Sequence, residues 1–356
     1  MHIPDGYISP ETAVVMYSAA APFWYVAGRK IKRLMSGQTV PLLAIFSAFS
    51  FTIMMFNIPI PGGTTAHAVG GTIAAVILGP WAAVITASVA LVIQALFFGD
   101  GGITAIGANC FNMAIVLPMV GYAFYWLIAR NSAPLSRRRL VAAGIGGYLG
   151  INAAALLVGI ELGLQPVFWT SNGHALYAPY PLSQAIPAMM LAHLTIAGAA
   201  EVIATVFVLA YVQRTHPELL FRRAAPDTAE SSEMVRTNAS KRRGWVFPVI
   251  AAVIVLAVPL GLLASGDAWG EWDAETLSQR TDVGYVPSGL HKYQGIWNAP
   301  FSGYSMPWVP DNATFFENAL AYILAAVVGI GLIFVVVFAL RVLSKRLATE
   351  RSTVST

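Results

Sequence analysis

Sulfur and charge are both scarce in this chain. The single cysteine, Cys110, excludes an internal disulfide and any metal cluster built from several thiolates. Charged residues make up only 11% of the 356 residues, against roughly 25% in a soluble domain. Hydrophobic residues make up 57% and the mean hydropathy is +0.66. That balance excludes an ordinary water-soluble fold and indicates an all-α polytopic membrane protein, embedded in a lipid bilayer and placed at the cell inner (plasma) membrane. The pI of 9.2 would suggest nucleic acid as a partner in a soluble protein, but in a membrane protein basic residues mark the cytoplasmic side, so no nucleic acid is expected. The first apolar run has no basic segment before it and no small-residue cleavage site after it, so no signal peptide is expected and the amine of Met1 should persist. The sequence also lacks a Gly-x-x-x-x-Gly-Lys-Ser/Thr loop, a His-Glu-x-x-His element and a Gly-x-Ser-x-Gly element. Neither ATP hydrolysis nor a hydrolytic enzyme is therefore read into this chain, and no permanent cofactor is expected.

Apolar stretches able to span about 30 Å of hydrocarbon run at 11–28, 41–58, 64–79, 81–98, 107–128, 139–161, 185–213, 245–264 and 318–341. The third and fourth are divided only by the turn at Leu78 to Trp81. With the N-terminus outside, the inner segments hold nineteen Lys and Arg residues and the outer ones only Arg280 and Lys292, a strong positive-inside bias. The expected topology is N-out, C-in, with residues 1–10, 59–67, 99–106, 162–184 and 265–317 on one external face. Residues 214–243 are polar without apolar periodicity and read as a cytoplasmic linker. The chain thus divides into a seven-span unit at 1–213 and a two-span accessory region at 244–356 with a large external loop.

The first stretch, MHIPDGYISP, carries one of only six histidines at position 2. A free α-amine, the next amide nitrogen and the imidazole Nδ1 of a residue-2 histidine close a five-membered and a six-membered chelate ring around one metal ion. Three nitrogens then lie in one plane, which suits Ni²⁺ or Cu²⁺ and disfavours Zn²⁺ or Mg²⁺. Pro4 and the Asp5-Gly6 turn signal stiffen the segment. A fourth ligand is sought among the external histidines His67, His174 and His291. His67 stands out because Pro59, Pro61, Gly62 and Gly63 break the chain just before it, with Asn57, Thr64 and Thr65 at hand for supporting hydrogen bonds. Protonated imidazole cannot ligate, so binding should weaken below about pH 6.5.

The stretches MHIPDGYISP, IPIPGGTTAHAVGG and ALFFGDGGITAIGANCFNM, together with the length of the seven-span unit, resemble the CbiM/NikM family. Its members are the substrate-binding membrane components of energy-coupling-factor nickel and cobalt transporters. The resemblance covers residues 1–215 or so and implies that Ni²⁺ or Co²⁺ is the transported substrate, held by the amine of Met1, the backbone nitrogen and side chain of His2, and His67. It also implies a transmembrane coupling subunit and ATP-binding cassette ATPases as separate partners, supplying metal for cobalamin biosynthesis or nickel enzymes. The region from 245 onward resembles, more loosely, the two-span accessory subunit of these systems, here fused.

Other polar residues carry paired readings. In FFGDGGITAIGAN, Asp100 is either a supporting acceptor or lid element near the metal, or an incidental neighbour of a tight reversal at Gly101 and Gly102; the reversal is the favoured reading. His193 and Glu201 lie eight residues apart in span seven, about 12 Å along a helix. They suit a proton relay in a stand-alone secondary transporter of a small polar solute, the alternative function, or separate roles inside the bundle. Gly146, Gly150 and Ala154 permit close helix packing, internally or against a partner. The external loop holds Asp267, Glu271, Asp273, Glu275, Asp282, Asp311 and Glu317, which would draw cations toward the mouth. Its tryptophans 269, 272, 297 and 308 are expected as interface anchors.

Overall fold

The computed structural model describes residues 1–34, 39–60, 64–217, 219–220, 246–264, 267–280, 282–310 and 312–354. The expected linker lies mostly outside them. Helix α1 (Pro10–Leu34) begins where Ser9 caps it: the Ser9 hydroxyl accepts from the Thr12 amide at 3.1 Å, Pro10 fills the first position, and Glu11 complements the helix dipole. After α2 (Thr39–Met54) the chain turns into a short antiparallel hairpin, β1 (Ile58–Ile60) with β2 (Thr64–Ala66), where Ile58 pairs with Ala66.

The expected third span, 64–79, is not a full one. The hairpin occupies its start, residues 67–70 are not helical, and only α3 (Gly71–Leu78) follows, eight residues long. At 1.5 Å per residue this is about 12 Å, too short for the hydrocarbon core. Gly79, at φ 103°, ends α3 and starts α4 (Pro80–Phe98), whose last five residues widen into a π turn. The remaining long helices of the first unit are α5 (Ile106–Ala129), with a π segment at Cys110–Val116, α6 (Arg137–Gly163), and α7 (Leu182–Thr215), with a π turn at His193–Ala197. Between α6 and α7 a second hairpin pairs Thr170–Ser171 with His174–Ala175. The accessory region comprises α8 (Val246–Ala257), prolonged by a 3₁₀ turn to Leu263, the short α9 (Ala274–Gln279) and α10 (Ser288–Tyr293), and the long α11 (Phe315–Val354). Among the described residues, α4, α5, α6, α7 and α11 are long and apolar enough to cross a membrane, and Val40–Met54 and Val249–Leu263 are shorter apolar helices. The protein is an all-α, multi-pass membrane protein.

Small residues let the helices close on one another. A Cβ at Gly146 of α6 would strike the Gly121 carbonyl of α5, and one at Gly150 would lie 2.6 Å from the Leu117 carbonyl oxygen. The small-residue stripe on α6 therefore serves internal packing. The accessory region shares the same core. Gly329 of α11 seats the ring of Phe51, Tyr322 donates to the Met55 carbonyl at 3.0 Å, and Tyr304 stacks on Phe98 at 5.1 Å.

Replacing Gly146 with Val is expected to lower stability by about 1–3 kcal/mol through overpacking at α5. Gly28→Ala, inside α1 where a Cβ meets nothing within 4 Å, should instead raise it by up to about 1 kcal/mol, alanine being the better helix former. Thermal unfolding of the detergent-solubilised protein distinguishes the two.

Candidate metal centre

The head of the chain is folded into the protein interior. Ile3 and Tyr7 are 0% exposed, and Met1 and His2 are each 4% exposed. Burial of so many backbone groups demands partners, and the loop between α4 and α5 supplies most of them. Asn109 clamps Ile3 from both sides, accepting from its amide at 2.8 Å and donating to its carbonyl at 3.1 Å, while the Gly102 amide donates to the same carbonyl at 2.8 Å. The Asp5 carboxylate accepts from the Ile103 amide, the Thr104 amide and the Thr104 hydroxyl at 3.1, 2.8 and 2.5 Å. Tyr7 donates to the Trp272 carbonyl at 2.6 Å and its own carbonyl accepts from the Ala178 amide at 3.0 Å. Glycine is required at three of these contacts. Gly6 and Gly101 both sit at φ +84°, and a Cβ on Gly102 would fall on the backbone nitrogen of Asp5.

This clasp brings the sequence candidates together. The imidazoles of His2 and His67 stack with centroids 5.1 Å apart and planes 25° from parallel, and Met1 is joined to His2 by one peptide bond. His67 Nδ1 lies 3.0 Å from the Ala68 carbonyl. A carbonyl oxygen only accepts, so Nδ1 carries the proton and Nε2 keeps a lone pair for a metal. The supporting partner is thus Ala68, and not Asn57, Thr64 or Thr65. His2 Nδ1 lies 2.5 Å from Asp100 Oδ1, and its Nε2 is buried without a partner. The Met1 nitrogen faces Glu271 Oε1 at 3.5 Å. Two carboxylates therefore stand against the amine and the His2 imidazole, two groups that would shed protons to ligate.

The electrostatics follow from burial and these neighbours. Burial alone would raise the Asp100 carboxyl, but the charge and hydrogen bond of His2 outweigh it, with His67 and Tyr304 adding to them, and Asp100 is held well below the usual carboxylate range. For Glu271 burial wins: its carboxyl is raised, although the Met1 amine and His2 pull the other way. Among the described residues no group of three or more His, Cys, Asp and Glu side chains forms a metal cage. The nitrogens gathered here are those of the Met1 amine, the His2 amide and the two imidazoles.

Several contacts around the candidate centre escaped the sequence reading. Asp100, taken there as an incidental part of a reversal, is the direct partner of His2; the reversal is also real, and it is what aims the carboxylate. Tyr304 of the accessory loop holds Asp100 Oδ2 at 2.5 Å, and Gln94 donates to both Tyr304 and Asp100 at 2.8 and 3.2 Å. Glu271, expected only to steer cations, reaches the first residue. Other loop acids are spent on local structure, Asp273 capping α9, Asp282 pairing with Arg280 and Glu317 bonding Thr314. Trp269 and Trp272 pack with Tyr180 at 5.0 and 5.9 Å. Trp308, 70% exposed, remains at the surface. His193 and Glu201 do not meet: His193 Nδ1 turns back to the Met189 carbonyl at 2.7 Å, whereas Glu201 bonds the chain beyond His67. His174 packs against Tyr285, with ring centroids 4.3 Å apart.

Comparison with known proteins converges on one class. Residues 2–219 match the family described as cobalt uptake substrate-specific transmembrane region, and residues 243–346 match the PDGLE domain. The chain is 50% identical over 348 residues to the fused nickel transport protein NikMN of Rhodobacter capsulatus, covering 94% of this chain and 95% of the relative. It is 44% identical over 334 residues to the probable fused nickel transport protein LarMN of Lactiplantibacillus plantarum, covering 91% and 94%. Crystal structures of a transition metal transporter are also similar: one is 51% identical with a TM-score of 0.58, covering 67% of this chain and all (100%) of that one. A truncated form is 55% identical with a TM-score of 0.57, covering 61% and 100%.

Two outcomes are expected. Gly102→Ala should weaken Ni²⁺ binding on the order of 10–100-fold, the usual cost of disturbing groups behind metal ligands, whereas Gly295→Ala, whose Cβ meets nothing within 4 Å, should bind as the native protein does; isothermal titration measures both. Lowering the pH should weaken Ni²⁺ binding steadily, because protons compete for the same nitrogens. Titrations in buffers of different ionisation heat should show protons released as metal binds.

Proposed function

The chain belongs to the family of cobalt uptake substrate-specific transmembrane regions, and from that premise we propose that it captures Ni²⁺ at the face where its N-terminal segment is buried. It is a membrane transport component of the fused nickel and cobalt type, not an enzyme. The carrying observation is the stacking of His2 on His67, 5.1 Å between centroids, at the buried head of the chain. In this reading the ligands are the amine of Met1, the amide nitrogen and Nδ1 of His2, and Nε2 of His67.

The arrangement explains how a cation is accepted. Before metal arrives, Glu271 faces the Met1 amine and Asp100 faces the protonated His2 Nδ1. Coordination would displace the protons these nitrogens carry, the ammonium losing one positive charge and the amide gaining one negative charge, so the two together offset the charge of the incoming divalent ion. That exchange moderates the desolvation cost of a divalent ion in a low-dielectric interior. Four nitrogens in a plane favour Ni²⁺ by ligand-field preference, and the relatives of matching fused layout are named for nickel. Co²⁺ is the second substrate to test.

Energy is assigned to partners. The chain has no phosphate-binding loop, and we assign ATP hydrolysis to separate ATP-binding cassette subunits joined through a transmembrane coupling subunit. A secondary transporter driven by His193 and Glu201 is disfavoured because the two side chains are committed to separate backbone partners.

Adding one residue before Met1 leaves every side chain in place and moves only the amine. Ni²⁺ affinity should fall by at least two orders of magnitude, on the order of the effect of losing a chelating ligand; native affinity in that variant would exclude the amine. Uptake of radiolabelled nickel into cells should require co-expression of the ATPase and coupling subunits, and uptake without them would favour the secondary transporter.

A further inference from the structure

Span seven carries one acidic side chain in the interior, and nothing in metal capture as derived above uses it. Glu201 of α7 is 0% exposed. No ion pair to it occurs among the described residues. A carboxylate in such a place is costly unless hydrogen bonds hold it. Its Oε2 accepts from the Val69 amide at 2.8 Å and the Gly70 amide at 2.9 Å, whereas Oε1 makes no hydrogen bond.

Those two amides belong to the non-helical residues that lead into α3. Helix α3 starts at Gly71, and the residue before it, Gly70, lies at φ 73° with no side chain to serve as a cap. A Cβ there would strike the Phe49 ring at 2.6 Å, so a capping Ser, Thr or Asp has no room. Glu201 reaches this segment from another helix and holds the backbone at the N-terminal end of α3, where negative charge is favourable. The segment is gripped from its other side too, since Ser50 donates to the Val69 carbonyl at 2.7 Å. One residue separates Val69 from His67, and the intervening Ala68 is the residue whose carbonyl fixes the His67 tautomer.

We propose that Glu201 is a positioning residue for the metal centre: by holding the Val69 and Gly70 amides across the bundle it sets where the His67 imidazole stands relative to His2. The inference rests on His67 being a ligand. It requires an acceptor at Oε2 and no transferable proton, which separates it from the relay role that the same residue would play in a secondary transporter. Glutamine, with its carbonyl oxygen in the Oε2 place, keeps both bonds. Aspartate keeps the charge but is one methylene too short.

The test is Ni²⁺ titration of the purified full chain, read by affinity and by the d–d absorption of nitrogen-coordinated Ni²⁺, which reports ligand geometry. Glu201→Gln should bind within about threefold of the native protein, as both hydrogen bonds persist, with the same band. Glu201→Asp and Glu201→Ala should lose about tenfold or more, with a changed band as the imidazole leaves the plane. A role in stability alone would lower the unfolding temperature and leave the band of the folded protein unaltered. Native affinity and band in folded Glu201→Asp or Glu201→Ala overturns the inference, as does loss of both in Glu201→Gln. If neither shortened variant yields folded protein, Ser50→Ala decides: it loosens the other side of Val69, and native affinity and band there overturn the proposal. His67→Ala is titrated alongside. Should it bind normally, the ligand assignment itself fails; should it lose binding while Glu201→Ala does not, only the positioning role fails.

Discussion

Burying the head of a polypeptide is unfavourable unless its charge and its amides all find partners, and the rest of this structure is arranged around meeting that demand. The Asp5 carboxylate with Ile103 and Thr104, and the two-sided bond between Asn109 and Ile3, convert an extended terminal segment into a fixed part of the core. A chelate that needs the amine, the next amide and one imidazole in a single plane tolerates little looseness, since each ligand atom is bonded to the next. Rigidity of residues 1–9 is therefore the condition on which the proposed site depends. The close approach at Gly102 shows how little space separates the segment from its clasp.

Irregular backbone surrounds the centre and does so for a reason. Regular helices satisfy their own amides and offer none to a ligand or a neighbouring carboxylate. The paired strands 58–60 and 64–66, the non-helical residues 67–70 and the shortened α3 free backbone groups close to His67. Three π segments lie close by in the chain: one just before Asp100, one just after Asn109, and one four residues ahead of Glu201. Each inserts extra width into a helix, re-aiming the residues that follow. The amides of Ile3, Val69 and Gly70 are met by side chains from other helices, so part of the irregularity is compensated within the protein.

The fused region is structurally part of the centre. Its core is continuous with that of the first unit through Phe51, Phe98, Tyr304 and Tyr322. Two of its loop residues reach groups beside the proposed ligands, Glu271 at the Met1 nitrogen and Tyr304 at Asp100. A carboxylate opposite the amine and a hydroxyl behind the His2 partner set the local field in which a cation must arrive.

Much was legible in the sequence, because it depended on composition or on covalent neighbours. Hydropathy and sparse charge determined a multi-pass helical membrane protein, since hydrocarbon leaves the backbone few other options. The chelating potential of residues 1 and 2 was legible for the same kind of reason: adjacent atoms on one chain form a ring whatever the fold. The break before His67 was written in Pro59 and Pro61 and their glycines. What residues far apart in the chain do to one another was not legible. Asp100 on His2, Glu271 on Met1, Tyr304 behind Asp100 and Glu201 on the amides beyond His67 join positions separated by 98 to 270 residues, and no local pattern encodes such distances. Local chemistry determined which groups are able to bind a metal. Tertiary packing alone decided which carboxylates face them, because hydrogen bonds between distant residues exist only once helices have closed around the buried head of the chain.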